Sequence, residues 1–368
     1  MRVIFCGGGT AGHITPAISI AENIKERHPS SEILFIGREG GDENKITTHN
    51  GFKVTEIQAG GIKRGITIKN FETAITLLKS LRRSKEIISD FAPDVVIGTG
   101  GYVCWPVIKA AQRLGIPTAI HESNICPGLT TRTLSKKCDR VLLNFPGSEK
   151  EFKKKENLRV VGNPIRKDFA KYTRQSARKS LGIPNSTFFI LSLGGSGGAE
   201  SINNNVIKLM QNFSSNQADV MHIHISGKRY YESIKSRHPE FCNSSNKCRI
   251  FPFIESIPKY ISAADTIICR CGAMTLSEVS QAGCVPILIP SPNVTDDHQK
   301  KNGKKFADMG AAIMIEESEL NEKTLTDAVL YLKRESLIRK RMAARLKKFY
   351  NPDCLDLIYR EIKEITSN

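Results

Sequence analysis

Four glycines and a serine stand where a strand should hand over to a helix, in Phe188-Phe-Ile-Leu-Ser-Leu-Gly-Gly-Ser-Gly-Gly-Ala-Glu200. The apolar run to Leu193 reads as a buried strand, and a helix is expected from near Ala199. Gly194, Gly195, Gly197 and Gly198 let the backbone come close to a ligand and turn its N–H groups toward it. Ser196 adds a hydroxyl, and the start of the helix behind it favours negative charge. This is chemistry for holding a phosphate. The chain repeats the device at its N-terminus, where Arg2-Val-Ile-Phe-Cys6 runs into Gly7-Gly-Gly-Thr-Ala-Gly-His13.

Other polar groups fall at the ends of strand-like runs. Gly100-Gly-Tyr102 follows Val95–Ile97, and His121-Glu-Ser-Asn124 follows Thr118–Ile120. Arg270-Cys-Gly-Ala-Met-Thr-Leu-Ser-Glu278 follows Thr266–Cys269; Gly272 allows a turn there and Thr275 can cap the next helix. Glu278, about one turn in, can accept hydrogen bonds from a pair of sugar hydroxyls. Asp296-Asp-His-Gln299 and Asn302 come after Val285–Ile289. The chain has no Asp-x-Asp pair, so the usual two-carboxylate signature of a divalent ion is missing. Each of these residues also has an ordinary use as a turn or cap.

The elements that must position them alternate. Strand-like runs at Ile33–Ile36, Val95–Ile97, Thr118–Ile120 and Val141–Leu143 are separated by helical or loop segments, as are Val220–Ile225, Thr266–Cys269 and Val285–Ile289 after Phe188. Such alternation calls for parallel sheets covered on both faces, with ligands beyond the carboxyl ends of the strands. A helix with Pro16 near its first turn is expected after His13. The break at Gly162-Asn-Pro164 reads as a linker. The expected fold class is therefore α/β, with two doubly wound Rossmann-like domains at 1–163 and 164–348 and a cleft between them. A last helix within 349–368 is expected to pack back on the first domain. Between Lys63 and Lys85, Phe71, Ile75, Leu78 and Leu81 are spaced as an apolar stripe bordered by Lys79, Arg82 and Arg83. That helix can lie on an anionic membrane, or face a core with a solvated basic edge.

The 368 residues suffice for two cores, and 25% charged with 40% hydrophobic residues is an ordinary globular composition. No apolar run approaches the roughly 18 residues of a membrane span. The N-terminus reads as a strand rather than a signal peptide, so a cytoplasmic location is expected. Ten cysteines without a CxxC pair read as buried free thiols. The net charge of +17 implies an anionic partner: nucleic acid, a membrane surface or phosphorylated substrates. No groove-reading helix or aromatic stacking motif supports nucleic acid.

Taken together, seven motifs in order resemble one family. They are Gly8-Gly-Thr-Ala-Gly-His13, Gly98-Thr-Gly-Gly-Tyr102, His121-Glu-Ser-Asn124, Val161-Gly-Asn-Pro-Ile-Arg166, Gly194-Gly-Ser-Gly-Gly-Ala199, Cys269-Arg-Cys-Gly-Ala-Met-Thr275 with Glu278, and Asp297-His-Gln299 with Asn302. The chain is similar, from residue 3 to about 315, to the MurG family of peptidoglycan N-acetylglucosaminyltransferases, which have the GT-B fold. The resemblance implies transfer of GlcNAc from UDP-GlcNAc to the 4-hydroxyl of MurNAc in lipid I, giving lipid II with inversion and needing no metal or other cofactor. It implies donor contacts from Thr10, Gly12, Asn124, Arg166, Gly195, Ser196, Gly197, Ile254, Ala273, Met274, Thr275, Glu278, His298 and Gln299. Of these, Ile254 would lie by the uracil and Glu278 on the ribose. The lipid diphosphate would sit on Gly9, Thr10, Gly100, Gly101 and Tyr102. His13 is the expected general base, because a hydroxyl is deprotonated best by a group titrating near neutrality, and Glu122 is the alternative. The basic helix carrying Phe71, Ile75 and Leu78 then reads as a peripheral contact with the cytoplasmic face of the anionic inner membrane. Other cell-wall synthesis proteins are possible partners, and nucleic acid is not expected. Ala11 replaces a family glycine, Ser123 and Gly197 stand where glutamine is common, and Cys271 where serine is. The competing readings are another GT-B glycolipid glycosyltransferase, a sugar-nucleotide epimerase, and a non-catalytic UDP-sugar-binding membrane scaffold.

Overall fold

A computed structural model of the chain describes residues 1–9, 11–60, 68–216, 219–243 and 247–367, with the backbone alone for residues 11, 42, 43, 68–74, 215 and 216. The chain divides into two units, Met1–Arg166 with Asn351–Asn368, and Lys167–Tyr350.

The first unit runs β1 (Arg2–Cys6), α1 (Ala11–Arg27), β2 (Glu32–Arg38), α2 (Asp42–His49), β3 (Lys53–Ile57), α3 (Ile68–Phe91), β4 (Val95–Gly98), α4 (Cys104–Arg113), β5 (Thr118–Glu122), α5 (Leu129–Leu134), β6 (Arg140–Leu143) and β7 (Leu158–Val160). Its strands form one parallel sheet in the order β3-β2-β1-β4-β5-β6-β7. Because side chains alternate along a strand, β1 feeds two cores. Val3 and Phe5 pack with Ile14, Ala17 and Ile24 of α1, while Ile4 and Cys6 pack with Leu81, Ile88 and Val107 from α3 and α4. Both faces are covered, which is why β1 from Val3 onward and the whole of β4 are apolar.

The second unit runs α6 (Arg174–Leu181), β8 (Phe188–Leu193), α7 (Glu200–Asn216), β9 (Val220–Ile225), α8 (Lys228–Arg237), β10 (Cys248–Phe251), α9 (Ile257–Ala263), β11 (Thr266–Cys269), α10 (Ala273–Ala282), β12 (Val285–Leu288), α11 (His298–Asp308), β13 (Ile313–Met314), α12 (Glu322–Arg334) and α13 (Ser336–Lys347). Its parallel sheet has the order β10-β9-β8-β11-β12-β13. The chain then returns to the first unit as α14 (Cys354–Thr366), whose Ile358 and Ile362 are fully buried in the α1 core. Asp356 pairs with Arg27, and Glu361 pairs with Arg140 at 2.5 Å.

In both sheets the strand order reverses beside the first strand, between β1 and β4 and between β8 and β11. Crossovers leave the sheet in opposite directions there, so a crevice opens past the carboxyl ends. Each of these four strands ends in one of the glycine-bearing motifs.

Three local expectations are corrected. α1 begins at Ala11, ahead of His13, so Pro16 falls in the second turn and has no N–H to return to the Gly12 carbonyl. Leu81 does not share a face with Leu78: it is 7% exposed and packs inward beside Ser80 and Ser84, whereas Leu78 is 67% exposed. The short strands β3, β10 and β13 were not anticipated; two of them carry polar residues and all three sit at sheet edges, where one side needs no partner. All ten cysteines are free thiols and eight are buried, as expected.

Three histidines, His121, His222 and His224, are fully buried and held neutral. Burial lowers each pKa, that of His224 to about 4. A histidine whose folded pKa lies below its unfolded 6.5 contributes full stability above pH 6.5 and loses it as pH falls toward the folded value. Thermal stability should therefore drop between pH 6.5 and 4, with His224 alone accounting for roughly 3 kcal/mol. A melting-temperature series in that window checks this, and His224→Asn should remove its share of the drop while His121 and His222 keep theirs.

Candidate active site

In the first unit the turn after β1 and the turn after β4 are pressed together. Gly8 N donates to the Gly100 carbonyl at 3.4 Å, and a Cβ on Gly101 would lie 2.0 Å from the Gly8 carbonyl oxygen. Gly100 and Gly101 have φ of +109° and +85°, a region closed to most other residues. His13, in the first turn of α1, donates from Nδ1 to the Gly8 carbonyl at 3.0 Å. A carbonyl can only accept, so Nε2 is the basic nitrogen of the neutral ring. The same ring rests on Gly100, where a Cβ would stand 3.1 Å from Nε2.

Cys104, at the start of α4, locks this arrangement from below. Its Sγ accepts from Gly100 N at 3.2 Å and lies 3.0 Å from the carbonyl oxygens of Cys6 and Gly100. Gly9 has φ +91° with open space around it, and Tyr102 is 52% exposed. Gly12 lies in the first turn of α1, while Thr10 lies outside the described residues. Strand β5 extends through Glu122, whose buried carboxylate accepts from Asn124 N at 3.0 Å, Asn124 Nδ2 at 3.1 Å and Gly128 N at 3.2 Å. Both oxygens of Glu122 thus close the loop to Gly128. His121 donates to the Gly162 carbonyl at 2.9 Å, tying β5 to the segment that ends at Arg166, the last residue of this stretch of the unit.

In the second unit the turn after β8 is built as its sequence suggests. Gly195 and Gly198 have φ of +89° and +75°. No atom would meet a Cβ within 4 Å at Gly195 or Gly197, so packing does not exclude a side chain at either. Gly198 differs: a Cβ there would lie 2.2 Å from the Ser226 carbonyl oxygen. Ser196 is exposed at the head of the turn that leads into α7. The turn after β11 leads into α10, which contains Ala273, Met274, Thr275 and Glu278. Thr275 does not cap it; Gly272 occupies the N-cap position without any side-chain bond. Glu278 is mostly buried, at 9% exposure.

Gln299 accepts from Ser291 N at 3.0 Å, and His298 donates from Nδ1 to the Thr295 carbonyl at 2.9 Å. Ahead of them Asp296 and Asp297 adopt φ of +57° and +49°, backbone strain of the kind that concentrates at working sites. Ile254 is half-buried just past β10, beside Phe253, which is 55% exposed with Lys228 above its ring.

Arg270 and Asn302 stand in the sequence motifs without a stated role, and the structure gives each one. Arg270 donates to Ser201 of α7 at 3.2 Å, to the carbonyls of Ile289 and Pro290, and to Glu317, so it ties three strand ends to one helix start. Asn302 is fully buried and donates to the Cys271 carbonyl at 3.3 Å. On α3, Ile75, Leu78, Lys79, Arg82 and Arg83 are all exposed on one side; the side chain of Phe71 lies outside the described residues. Two surface cavities of about 390 and 510 Å³ lie around Lys137 and Asp139, at the amino ends of β5 and β6 and so at the wrong end for this chemistry.

Two parallel-sheet units, each with paired glycine turns at its switch point, are the architecture of the GT-B class. Residues 3–143 match the Glycosyltransferase family 28 N-terminal domain and residues 189–358 its C-terminal domain. The UDP-N-acetylglucosamine–N-acetylmuramyl-(pentapeptide) pyrophosphoryl-undecaprenol N-acetylglucosamine transferase of Alkaliphilus oremlandii is 40% identical over 366 residues, 99% of each chain. The protein of the same name from Acetivibrio thermocellus is 39% identical over 368 residues, 100% of this chain and 99% of that one. The crystal structure of Acinetobacter baumannii MurG aligns over 99% of each chain with a TM-score of 0.77 and 25% identity. The chain belongs to the MurG family of N-acetylglucosaminyltransferases.

The glycines now divide into two kinds with different expected costs. Gly101→Ala should lower stability by 3 kcal/mol or more, because its Cβ meets backbone. Gly195→Ala should cost only the roughly 1–2 kcal/mol of a left-handed backbone. Gly197→Gln, with open space and no positive φ, should change stability by less than about 0.5 kcal/mol and tighten UDP binding. Thermal melts with UDP titrations read all three.

Proposed function

We infer that the chain transfers GlcNAc from UDP-GlcNAc to the MurNAc 4-hydroxyl of undecaprenyl-diphosphoryl-MurNAc-pentapeptide, forming lipid II. The observation that carries this reading is the 40% identity, end to end, with a protein named for that reaction. The glycine turn at 194–198 cradles the donor diphosphate with backbone N–H groups and the Ser196 hydroxyl. Residues Ala273 to Thr275 offer a second helix start to the same phosphates, Glu278 takes the ribose hydroxyls, and Ile254 borders the uracil. Gln299, His298 and Asn124 contact the GlcNAc, with Arg166 near the nucleotide. The acceptor diphosphate lies on Gly9, Thr10 and the Gly100–Tyr102 turn.

His13 takes the proton from the acceptor hydroxyl at Nε2, while its Nδ1–H stays on Gly8. Glu122 fits this task less well, since both its oxygens already accept hydrogen bonds from its own loop. The step needs charge stabilisation on the leaving UDP, which helix starts and backbone donors supply without a bound metal or other cofactor. The exposed apolar and basic side of α3 meets the cytoplasmic face of an anionic membrane, where the acceptor's lipid is embedded. No helix among the described residues is long and apolar enough to cross a membrane.

Radiolabelled GlcNAc transfer to a short-chain lipid I analogue in EDTA should proceed with the wild type and fall a hundredfold or more in His13→Ala. Survival of activity in that variant would remove His13 as the base, and failure in EDTA would remove metal independence. A Lys79, Arg82 and Arg83 to Ala triple variant should bind anionic vesicles ten- to a hundredfold more weakly, at about 1 kcal/mol per charge less the share already paired with Glu86, while turnover on the soluble analogue stays within about twofold.

A further inference from the structure

Beneath the glycine turn of the second unit runs a line of buried hydrogen bonds that takes no part in the chemistry above. Asn203, in the first turn of α7, donates from Nδ2 to the Ser226 carbonyl at 3.1 Å, just past the end of β9. Its Oδ1 is therefore the acceptor for His224 Nε2–H, 3.0 Å away. His224 Nδ1 must then accept, and the Ser192 hydroxyl donates to it at 2.8 Å. With its one hydrogen so directed, Ser192 accepts from His222 Nε2–H at 2.8 Å. Every proton in the line is assigned from the Ser226 end. The four side chains are at most 1% exposed, so none can reach a ligand.

The Ser226 carbonyl that ends this line is also what Gly198 rests on, since a Cβ at 198 would stand 2.2 Å from it. Gly227 closes the other side, where a Cβ would lie 2.9 Å from the Gly197 carbonyl oxygen. The 226–227 backbone is thus the floor of the glycine turn, and Asn203 fixes that floor to the start of α7. Losing the Asn203 donor leaves a buried carbonyl without this partner and frees its peptide to rotate into Gly198.

We propose that Asn203 and His224 are positioning residues that set affinity for the donor's diphosphate, by fixing the floor of the glycine turn against the first turn of α7. The proposal rests on the reading of that turn as a diphosphate cradle. The partner group is recognised by its chemistry: two linked phosphates, not the base or the ribose.

Calorimetric titration of the full chain with UDP and with uridine tests it. Asn203→Asp keeps the acceptor for His224 but sets a carboxylate oxygen against the Ser226 carbonyl. It should weaken UDP binding tenfold or more and uridine binding less than twofold, with the donor KM rising and kcat within about threefold. His224→Asn keeps the acceptor for Ser192 and loses the donor to Asn203; it should weaken UDP about threefold or more, again sparing uridine. Val206→Ala, a buried change on the same helix, should lower the melting temperature and leave the UDP-to-uridine ratio unaltered. Equal losses for UDP and uridine in both polar variants, or no loss of either ligand in both, would overturn the proposal alone. A wild type that binds UDP no better than uridine would overturn the cradle reading and the proposal with it.

Discussion

The structure depends on two stretches of backbone passing each other at van der Waals distance at the end of a parallel sheet. A peptide N–H can face a phosphate only if no side chain stands between them, and two such stretches can adjoin only if the residue facing the other's carbonyl carries no Cβ. Gly101 against Gly8, and Gly198 against Ser226, are those crossings. The strand order turns around between β1 and β4, which places the Gly101 crossing at that switch point; the Gly198 crossing lies on the other side of β8, against the end of β9. The same constraint in both units explains why two sheets of different strand number end in such similar turns.

Charge is arranged differently from what a net +17 suggests. Arg174, Arg178 and Arg339 converge on Asp265, at the amino end of β11 and away from the glycine turns. Arg178 is fully buried and also donates to three backbone carbonyls, so it fastens α6 to the sheet. Arg270 is held by Glu317 and by carbonyls. Within the described glycine turns themselves, at 7–9, 100–102 and 194–198, the polar groups are backbone amides and the hydroxyls of Tyr102 and Ser196. A surface made from dipoles is already oriented before an anion arrives and needs no counter-charge to be moved aside.

Most of the fold was legible because parallel strands buried on both faces are runs of Val, Ile, Leu and Phe that composition alone cannot hide. Phe188–Leu193 and Val220–Ile225 begin and end where the sequence puts them. The edge strands escaped notice for the opposite reason: Lys53-Val-Thr-Glu-Ile57 is half solvated and looks like loop. The start of α1 was misplaced because Pro16 was read as a helix opener, while the chain tolerates it one turn later. On α3, Leu78 and Leu81 lie about sixty degrees apart on a helical wheel, and only packing decides that one faces water and the other α4. The glycine motifs and His13 were readable at once. The groups beneath them were not, because a Ser or His inside an apolar strand shows no partner until the neighbouring strand is in register. His222 and His224, two apart and so on one face, were the available signal.

The closing helix ties the order of synthesis to the order of assembly. α14 supplies Ile358, Ile362 and Ile365 to the core beneath β1 and α1, yet it is translated after the whole of the second unit. The contiguous second unit can therefore collapse around its own sheet while the N-terminal sheet still shows one apolar face to the ribosome surface and to chaperones. The segment made first is finished last, and a ribosome that stalls after residue 350 would release a chain whose second unit is complete and whose first is not.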